Sequence, residues 1–376
     1  MKTKQLIYAV MAGMVTLAAC NSKGKGSNAD STDVAADTSA NATGSINDIK
    51  PKENVPAWAP TIKPQMQAVI EKLVSYGDKP IPELTALQAR KNHTPTDAVK
   101  DLITEYKITV PPANIDTMGK DIDVAGGKIH LRIYTPKTKG PFPVVVYYHG
   151  GGFVIADLDV YDASAKVLAD KIGAVVVSVA YRLGPEFKFP TAHNDAYAAY
   201  KWVVDNTASI QGDPKRIAIA GESAGGNLAV ATSIAARDKK ISVPIHVLAV
   251  YPIAGSDMNT PSYIKNAAAK PLDKPMMMWF VKNYLNNMGE GKDTRINLVA
   301  ANLKGLPPTT IITAEIDPLQ SDGMNLADKL KAAGVKVDSK NYDGVTHEFF
   351  GMGAVVPEAM DAEMYAVDQL KKAFGL

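Results

Sequence analysis

Short apolar runs that alternate with segments of helical periodicity place the strongest constraint on how this chain can fold. Six such runs occur between residues 143 and 342: PVVVYYH (143–149), AVVVSVAY (174–181), RIAIA (216–220), IHVLAVYP (245–252), TTIITAE (309–315) and VKVDSKNY (335–342). Uninterrupted Val and Ile are typical of strands that are covered on both faces. Strands that alternate with helices predict an α/β fold with a mostly parallel, doubly wound sheet.

The segments around this core have different periodicities. DIDVAGGKIHLRIY (121–134) alternates apolar and polar residues about two glycines, which predicts an antiparallel hairpin at the sheet edge. Residues 62–110 carry apolar side chains at helical spacing, and Thr94 has the features of a helix start. Residues 255–300 interrupt the alternation and include one predicted helix, KPMMMWFVKNYLNN (274–287). Its Met-Trp-Phe cluster could form an acyl-binding face or pack a lid helix onto the core.

The N-terminus has the composition of an export signal. Two lysines precede an apolar run over residues 6–19, which is shorter than the roughly 20 residues of a membrane-spanning helix but typical of a signal peptide. The run ends in LAAC at residues 17–20, which resembles the lipobox of bacterial lipoproteins. This resemblance implies that residues 1–19 are removed as a lipoprotein signal peptide and that Cys20 is lipidated. The alternative is an ordinary secretory signal with an incidental cysteine.

The segment after Cys20 separates this anchor from the folded chain. Residues 20–55 are rich in Ser, Asn, Asp, Ala, Thr and Gly. They have few large apolar side chains, so burial cannot offset the entropy lost on ordering them. We therefore expect a flexible tether there and a folded domain over residues 56–376. Asn21, in place of the Asp that retains enteric lipoproteins at the inner membrane, favours an exported protein anchored in the outer membrane, either periplasmic or surface-facing.

Charge and cysteine content exclude several classes of function. The chain has 41 basic and 39 acidic residues, a net charge of +2 and no basic stripe, so a nucleic-acid partner is not expected. Cys20 is the only cysteine, which excludes an intrachain disulfide and a zinc site built on thiolates. The six histidines are scattered and none pairs with another at i, i+4. A site of histidine and carboxylate ligands stays open, but no metal is predicted.

The stretch IAIAGESAGGNLAV (217–230) places one serine between a predicted strand and a predicted helix. Gly221-x-Ser223-x-Gly225 matches the nucleophile-elbow pattern, in which a sharp turn exposes the serine hydroxyl. Side chains two residues to either side would make the strand and the helix clash, which explains the glycines. The alternative is a structural turn that happens to contain serine.

A serine hydroxyl is a poor nucleophile without a base, and the elbow arrangement requires an acid and then a histidine later in the chain. Two histidines follow Ser223. His347 lies in the loop after the last predicted strand, at the sheet edge where ligands bind, and is the predicted base. His246 begins a core strand and is interpreted as a strand-end residue.

The acid should follow the preceding strand, in TTIITAEIDPLQSDG (309–323). Asp317 falls just beyond the strand end, and we predict that it orients His347 and stabilises its cation. Glu315 is interpreted as part of the strand, and Asp322 as a helix-start or loop-anchoring carboxylate.

Three consecutive glycines follow the first core strand in YYHGGGF (147–153). Because glycine has no Cβ, their N–H groups can approach a developing alkoxide closely. Elbow proteins take one oxyanion-hole donor from such a loop and another from just after the nucleophile. We therefore predict Gly151, Gly152 and Ala224 as the donors, and we expect His149 to brace the loop. The alternative is a flexible glycine loop or a phosphate-binding loop, which is disfavoured because no lysine or G-x-x-x-x-G-K-[ST] pattern is present.

Four motifs occur in the order seen in one family: HGGGF (149–153), GESAGGN (221–227), DPL (317–319) and HEF (347–349). Over residues 60–376 the chain resembles the hormone-sensitive-lipase-like (bacterial family IV) carboxylesterases. The resemblance implies an α/β-hydrolase fold with a helical cap, whose elements would lie near 56–110 and 255–300. Glu222 stands where one branch commonly has Asp, and Phe187 where His is frequent, which bears on substrate preference rather than on reaction type.

The motifs and the resemblance together lead to one expected function. We expect a serine carboxylesterase that needs no cofactor and hydrolyses small or short-chain acyl esters through an acyl-enzyme on Ser223. The same residues could instead hydrolyse amides or transfer acyl groups. From a different class, the chain could be a non-catalytic surface lipoprotein that binds a ligand on a hydrolase scaffold. The oligomeric state is not predicted.

Overall fold

The computed structural model of the protein describes residues 44–376. The strands are β1 (Ile115–Val124), β2 (Gly127–Pro136), β3 (Phe142–Tyr148), β4 (Val175–Ala180), β5 (Gly212–Glu222), β6 (Val247–Val250), β7 (Thr309–Ile316) and β8 (Val337–Thr346). The helices are α1 (Pro64–Ser75), α2 (Ala86–Ala89), α3 (Pro95–Glu105), α4 (Asp162–Ile172), α5 (Thr191–Asn206), α6 (Ala224–Asp238), α7 (Pro261–Lys265), α8 (Lys274–Tyr284), α9 (Gln320–Ala332) and α10 (Pro357–Phe374). The predicted signal peptide, Cys20 and the first part of the predicted tether lie outside the described residues.

The eight strands form one sheet in the order β1-β2-β4-β3-β5-β6-β7-β8. β2 pairs antiparallel with both β1 and β4, and all other neighbours are parallel. The predicted fold class, a mostly parallel doubly wound sheet with an antiparallel hairpin at one edge, is confirmed.

Helices cover the sheet on both faces, which explains why the strand sequences are apolar without interruption. Along β3, Val144, Val146 and Tyr148 belong to a hydrophobic cluster that includes residues of α5, α6 and α9. Val145 and Tyr147 point the other way, into a cluster with residues of α4 and α10. Successive side chains of a strand alternate between faces, so a strand that is buried on both sides must be apolar throughout.

The strand order reverses at β3, because β4 lies on one side of it and β5 on the other. In open α/β sheets, ligands bind at the carboxyl ends of the strands beside such a reversal. The register places Tyr148, at the end of β3, level with Gly221, near the end of β5. The glycine loop after β3 and the serine turn after β5 therefore leave the sheet side by side.

Residues 44–55, which precede the predicted domain boundary at residue 56, contact the folded domain. Ser45 and Asp48 form a capping box around a short 3₁₀ turn, and Ile49 is fully buried in the cluster that contains α1 and α3. Lys52 donates its backbone N–H to Glu71 over 2.6 Å. In residues 44–55, local capping and one deeply buried isoleucine thus offset part of the entropy cost that composition alone predicts.

Helix α8 and the segment 81–90 meet near the carboxyl edge of the sheet. Trp279, on α8, donates its indole N–H to the carbonyl of Leu84 over 2.9 Å. Arg90 donates to the carbonyl of Val154, in the loop after β3, and forms an ion pair with Glu186. Within residues 44–376, no helix has the length and apolar character needed to cross a membrane.

Candidate active site

Ser223 sits in the turn between β5 and α6 with φ 56° and ψ −115°. These angles fall outside the regions that L-residues favour, so the turn is strained. Ser223 donates its N–H to Val250 over 2.9 Å, and its carbonyl accepts the N–H of Ile253. Hydrogen bonds to the end of β6 and the loop after it thus hold the turn, and its side chain lines a cleft.

The glycines around the serine are required by packing. A Cβ on Gly221 would lie 2.1 Å from the carbonyl oxygen of Gly225, and a Cβ on Gly225 would lie 1.9 Å from the carbonyl oxygen of Tyr148. Both distances are far below contact distance, and both neighbouring atoms belong to the backbone. This is the clash between strand and helix that the elbow pattern predicts.

Gly225→Ala is expected to destabilise the fold by about 2–3 kcal/mol, as overpacking of a tight core does. Gly173→Ala is the control, because Gly173 has φ +74° but nothing within 4 Å of an added Cβ. Its cost is limited to the left-handed backbone, roughly 1–2 kcal/mol. Urea unfolding of both variants measures the difference, and a Gly225→Ala variant as stable as Gly173→Ala would contradict the steric argument.

Ser223, His347 and Asp317 form a continuous hydrogen-bonded row. His347 Nε2 lies 3.0 Å from Ser223 Oγ, and His347 Nδ1 lies 2.7 Å from Asp317 Oδ2. All three residues are buried, with Asp317 at 0% exposure. Because a carboxylate only accepts, Nδ1 carries the proton and Nε2 is free to accept the serine proton.

Asp317 is itself fixed in place by hydrogen bonds from a backbone N–H and a side-chain amide. It follows β7, and its Oδ1 accepts the N–H of Leu319 over 2.8 Å. Its carbonyl oxygen accepts from the side-chain amide of Asn266 over 3.0 Å. Its orientation is therefore set before any substrate binds.

The charge of Asp317 determines the basicity of His347. Burial alone would lower the pKa of His347, but the Asp317 charge and hydrogen bond outweigh it and raise the pKa above 6.5. A raised pKa makes the imidazole a better proton acceptor and stabilises the imidazolium that forms during reaction.

The two other acids that the sequence offered have different roles. Glu315 lies in β7, where it accepts the N–H of Gly344 and pairs with Lys265. Asp322 lies in the first turn of α9 and accepts the N–H groups of Ala254 and Gly255. Both interpretations from the sequence are confirmed.

The glycine loop after β3 lines the cleft beside Ser223. Gly151 and Gly152 have φ +94° and +59° and line the cleft together with Ser223. Within residues 44–376, neither glycine donates its N–H to another backbone carbonyl. Ala224 is the first residue of α6, where N–H groups lack intrahelical partners. Gly151 and Gly152 therefore line the cleft together with Ser223, and Ala224 follows Ser223 directly in the chain.

His149 braces this loop, as predicted. Its ring stacks on Tyr181 at 4.3 Å between centroids, and its Nδ1 donates to the carbonyl of Gly150 over 2.8 Å. Tyr181 donates its hydroxyl to the carbonyl of His149 over 2.8 Å. Burial lowers the pKa of His149 to about 4, so this ring stays neutral at physiological pH. His246, the histidine after Ser223 that was not predicted to be the base, precedes β6 and contacts Thr310.

The sequence did not predict the contacts of Glu222, the buried acid that directly precedes the nucleophile. Glu222, at 0% exposure, accepts the hydroxyls of Tyr147 and Tyr251. Burial raises its pKa to about 7 against the opposing effect of those hydroxyls. Tyr251 also packs its ring 4.6 Å from the ring of His347. Glu222 and its two tyrosines thus lie next to the catalytic row: Glu222 precedes Ser223 in the chain, and Tyr251 packs against His347.

The cleft at Ser223 is narrow and adjoins a larger chamber. It holds about 20 Å³ and is lined by the serine and histidine together with apolar cap residues, among them Leu272, Met276 and Phe280. The chamber holds about 340 Å³, and Met277 and Phe280 line both spaces. One face of α8 therefore borders the cleft, while Trp279 packs inward against the segment that contains Leu84. A separate hollow of about 430 Å³, beside α1 and α3, contains none of these residues.

Comparison with known proteins agrees with this geometry. The sequence pattern of the alpha/beta hydrolase fold matches residues 145–351. Carboxylesterase NlhH of Mycobacterium tuberculosis is 35% identical over 320 residues, which cover 84% of this chain and 97% of that relative. Ethyl acetate hydrolase of Pseudomonas putida is 32% identical over 253 residues, which cover 66% and 79%. The crystal structure of a thermostable esterase from Pseudomonas putida ECU1011 gives a TM-score of 0.77 at 33% identity, covering 85% of this chain and 99% of that one.

Proposed function

This chain belongs to the α/β-hydrolase family of hormone-sensitive-lipase-like carboxylesterases and is a serine ester hydrolase, and from this we propose that it cleaves short-chain acyl esters through an acyl-enzyme on Ser223. The observation that carries the proposal is the row of hydrogen bonds from Ser223 through His347 to Asp317, at 3.0 and 2.7 Å. The row ends in a cleft beside free N–H groups, as acyl transfer requires.

Each residue has a defined part in the proposed mechanism. Ser223 Oγ attacks the ester carbonyl carbon while His347 Nε2 takes the hydroxyl proton, and the carbonyl electrons move onto oxygen. The N–H groups of Gly151, Gly152 and Ala224 stabilise that oxyanion. Collapse of the tetrahedral intermediate breaks the bond to the alcohol, which leaves with the proton from His347.

Deacylation repeats these steps with water as the nucleophile. His347 takes a proton from water as it attacks the acyl-enzyme, and the collapsing intermediate returns that proton to Ser223. The products are a carboxylic acid and the regenerated enzyme.

The size of the cleft favours short acyl groups. Phe280 and Met277 stand between the space of about 20 Å³ at Ser223 and the chamber of about 340 Å³. A space of this size favours a small acyl group over a long chain. The likeness to a protein named ethyl acetate hydrolase supports the same preference.

A panel of p-nitrophenyl esters from acetate to palmitate tests this preference. We expect kcat/KM to be highest between acetate and butyrate and to fall for octanoate and longer chains. Phe280→Leu removes the ring from the wall and should move the maximum toward longer chains, while its effect on acetate stays small. A parent enzyme that prefers octanoate would contradict the role of Phe280 as a wall.

Two further measurements separate the rival functions. Matched p-nitroanilides should react far more slowly than the esters, whereas comparable rates would favour an amidase. A fluorophosphonate probe should form a covalent adduct on Ser223, identified by peptide mass spectrometry. Absence of that adduct would favour a non-catalytic binding protein on the same scaffold.

We also propose that the enzyme is an exported bacterial lipoprotein, anchored in the outer membrane through Cys20. The support is the LAAC motif after a short apolar run, together with the absence of any other cysteine from the chain. Residues 20–43 would then join the lipid anchor to the folded domain.

Cys20→Ser tests the anchor in a host that processes lipoproteins. The parent protein should partition with outer-membrane vesicles and incorporate an alkyne-labelled fatty acid, because two or three acyl chains anchor firmly. The variant should lose the label and leave the membrane fraction. A parent protein without label would contradict lipidation, whatever its esterase activity.

A further inference from the structure

Glu348 brings another carboxylate into the catalytic cleft, next to the base. It follows His347 directly and lines the same cleft as Ser223 and Met276. Its φ is +65°, a left-handed conformation that glycine adopts without strain and other residues do not. The chain therefore holds a charged side chain at a position where glycine would fit more easily.

One oxygen of this carboxylate accepts a hydrogen bond from the protein, and the other does not. Tyr161 donates its hydroxyl to Glu348 Oε1 over 2.9 Å. Within residues 44–376, no group donates a hydrogen bond to Oε2, and no lysine or arginine nitrogen lies within 4.0 Å of the carboxylate. Glu348 is half-buried and lines the cleft, so a group that enters the cleft can contact its side chain.

The groups around Glu348 leave its negative charge uncompensated. Burial lowers the pKa of His347, the charge and hydrogen bond of Asp317 raise it, and the charge of Glu348 adds to that rise. Glu222 lies near enough for the charge of Glu348 to raise its pKa, after the larger effect of burial. The neighbours of Glu348 are thus the base His347, the hydrogen-bond donor Tyr161 and another acid, Glu222.

The chemistry of ester cleavage decides which part of the substrate meets this charge. His347 must protonate the leaving alcohol oxygen, so that oxygen lies within hydrogen-bond reach of Nε2. The alcohol portion therefore extends along the side of the cleft that His347 and Glu348 form. The chamber behind Phe280 and Gly152 includes neither residue in its lining.

We propose that Glu348 is a specificity-determining residue, which selects esters whose alcohol portion carries a positive charge or a hydroxyl group that Oε2 can bind. The proposal rests on the esterase function proposed above. It names a class of substrate that the general likeness to carboxylesterases leaves open.

Two pairs of acetate esters test the proposal, since the members of each pair match in size. Acetylcholine differs from 3,3-dimethylbutyl acetate only in charge, and 2-hydroxyethyl acetate differs from propyl acetate only in a hydroxyl group. We expect the parent to prefer the charged and the hydroxylated member by about five- to tenfold in kcat/KM, as for a partly solvated contact with a carboxylate. The ratio within a pair is the readout, because it cancels any change that affects all esters equally.

Two variants test whether the substrate preference depends on Glu348. Glu348→Gln keeps the shape and an acceptor oxygen but removes the charge, so the ratio for the charged pair should fall to about one while the hydroxyl pair keeps part of its preference. Glu348→Leu removes both, and both ratios should fall. Circular dichroism checks that each variant folds, and Glu348→Gln still tests the proposal if the leucine variant does not.

Two outcomes would overturn the proposal. One is a parent enzyme with no preference in either pair. The other is a Glu348→Gln variant that slows all four esters equally with unchanged ratios, which would mean that Glu348 acts only through His347. In both cases the esters are still hydrolysed, so the proposed function would survive the failure of this inference.

Discussion

Ser223→Ala is expected to reduce kcat on p-nitrophenyl acetate by about 10⁴-fold or more, the size of loss that removal of a serine nucleophile causes. The reason is geometric: within residues 44–376 Ser223 Oγ is the hydroxyl that contacts His347 Nε2, at 3.0 Å. Water could still react beside the N–H groups of Gly151 and Gly152, which leaves a small residual rate. KM should change little, because the cleft keeps its shape.

Ser233→Ala provides the matched control. Ser233 is also buried in α6, and its hydroxyl donates to the carbonyl of Ala229 over 2.9 Å, away from the cleft. This variant should lose about 1 kcal/mol of stability and keep its activity. If Ser223→Ala kept more than a few per cent of the parent rate, with contaminating esterases excluded by active-site titration, the proposed acyl-enzyme would be wrong.

Much of the fold could be predicted because its determinants are local. A strand that is covered on both faces, such as the one in residues 143–149, can be recognised from its apolar composition alone. The elbow is also local, because Gly221, Ser223 and Gly225 lie within five residues of sequence. Thr94 was identified as a helix start for the same reason: it forms a capping box with Asp97, three residues later.

To predict which distant residues meet, the sheet topology was needed as well as the local patterns. Ser223 and His347 are 124 positions apart, and Asp317 and His347 are 30 apart. The alternation of strands and helices was sufficient to assign both partners, because loops that follow parallel strands share one edge of the sheet. Position relative to the strands then favoured His347, in the loop after the last strand, over His246, which begins a core strand.

The residues that the sequence did not reveal are those whose contacts carry no spacing rule. Tyr147 and Tyr251 converge on Glu222 from two different strand ends, and nothing in their local sequence distinguishes them from other buried tyrosines. Glu348 appeared only as part of a motif around His347. Its positive φ and its contact with Tyr161, 187 positions away, emerge from the structure alone.

Asp317→Asn should cause the second large loss, up to about 10⁴-fold in kcat as for the corresponding acid of serine proteases. The asparagine amide can donate to Nδ1, whereas the carboxylate accepts from it at 2.7 Å. A donor there favours the tautomer with the proton on Nε2, and that tautomer cannot accept the proton of Ser223. The fall in kcat should exceed any change in KM, because the substrate does not contact this residue.

The same substitution should move the acid limb of the pH profile to lower pH. His347 must be neutral to act as a base, so in the parent kcat/KM rises with pH through a pKa above 6.5, where Asp317 holds it despite burial. Without that charge, the effect of burial is opposed less strongly and the pKa falls, so the residual activity of the variant should persist to lower pH.

Asp322→Asn is the control for Asp317→Asn, because Asp322 is also a buried acid and lies five positions further along the chain. Its carboxylate accepts N–H groups from Ala254 and Gly255 rather than contacting His347. It should therefore lower stability while leaving the acid limb where it is in the parent. If the acid limb shifted in Asp322→Asn but not in Asp317→Asn, Asp322 rather than Asp317 would be the carboxylate that sets the pKa of His347. The proposed role of Asp317 would then be wrong.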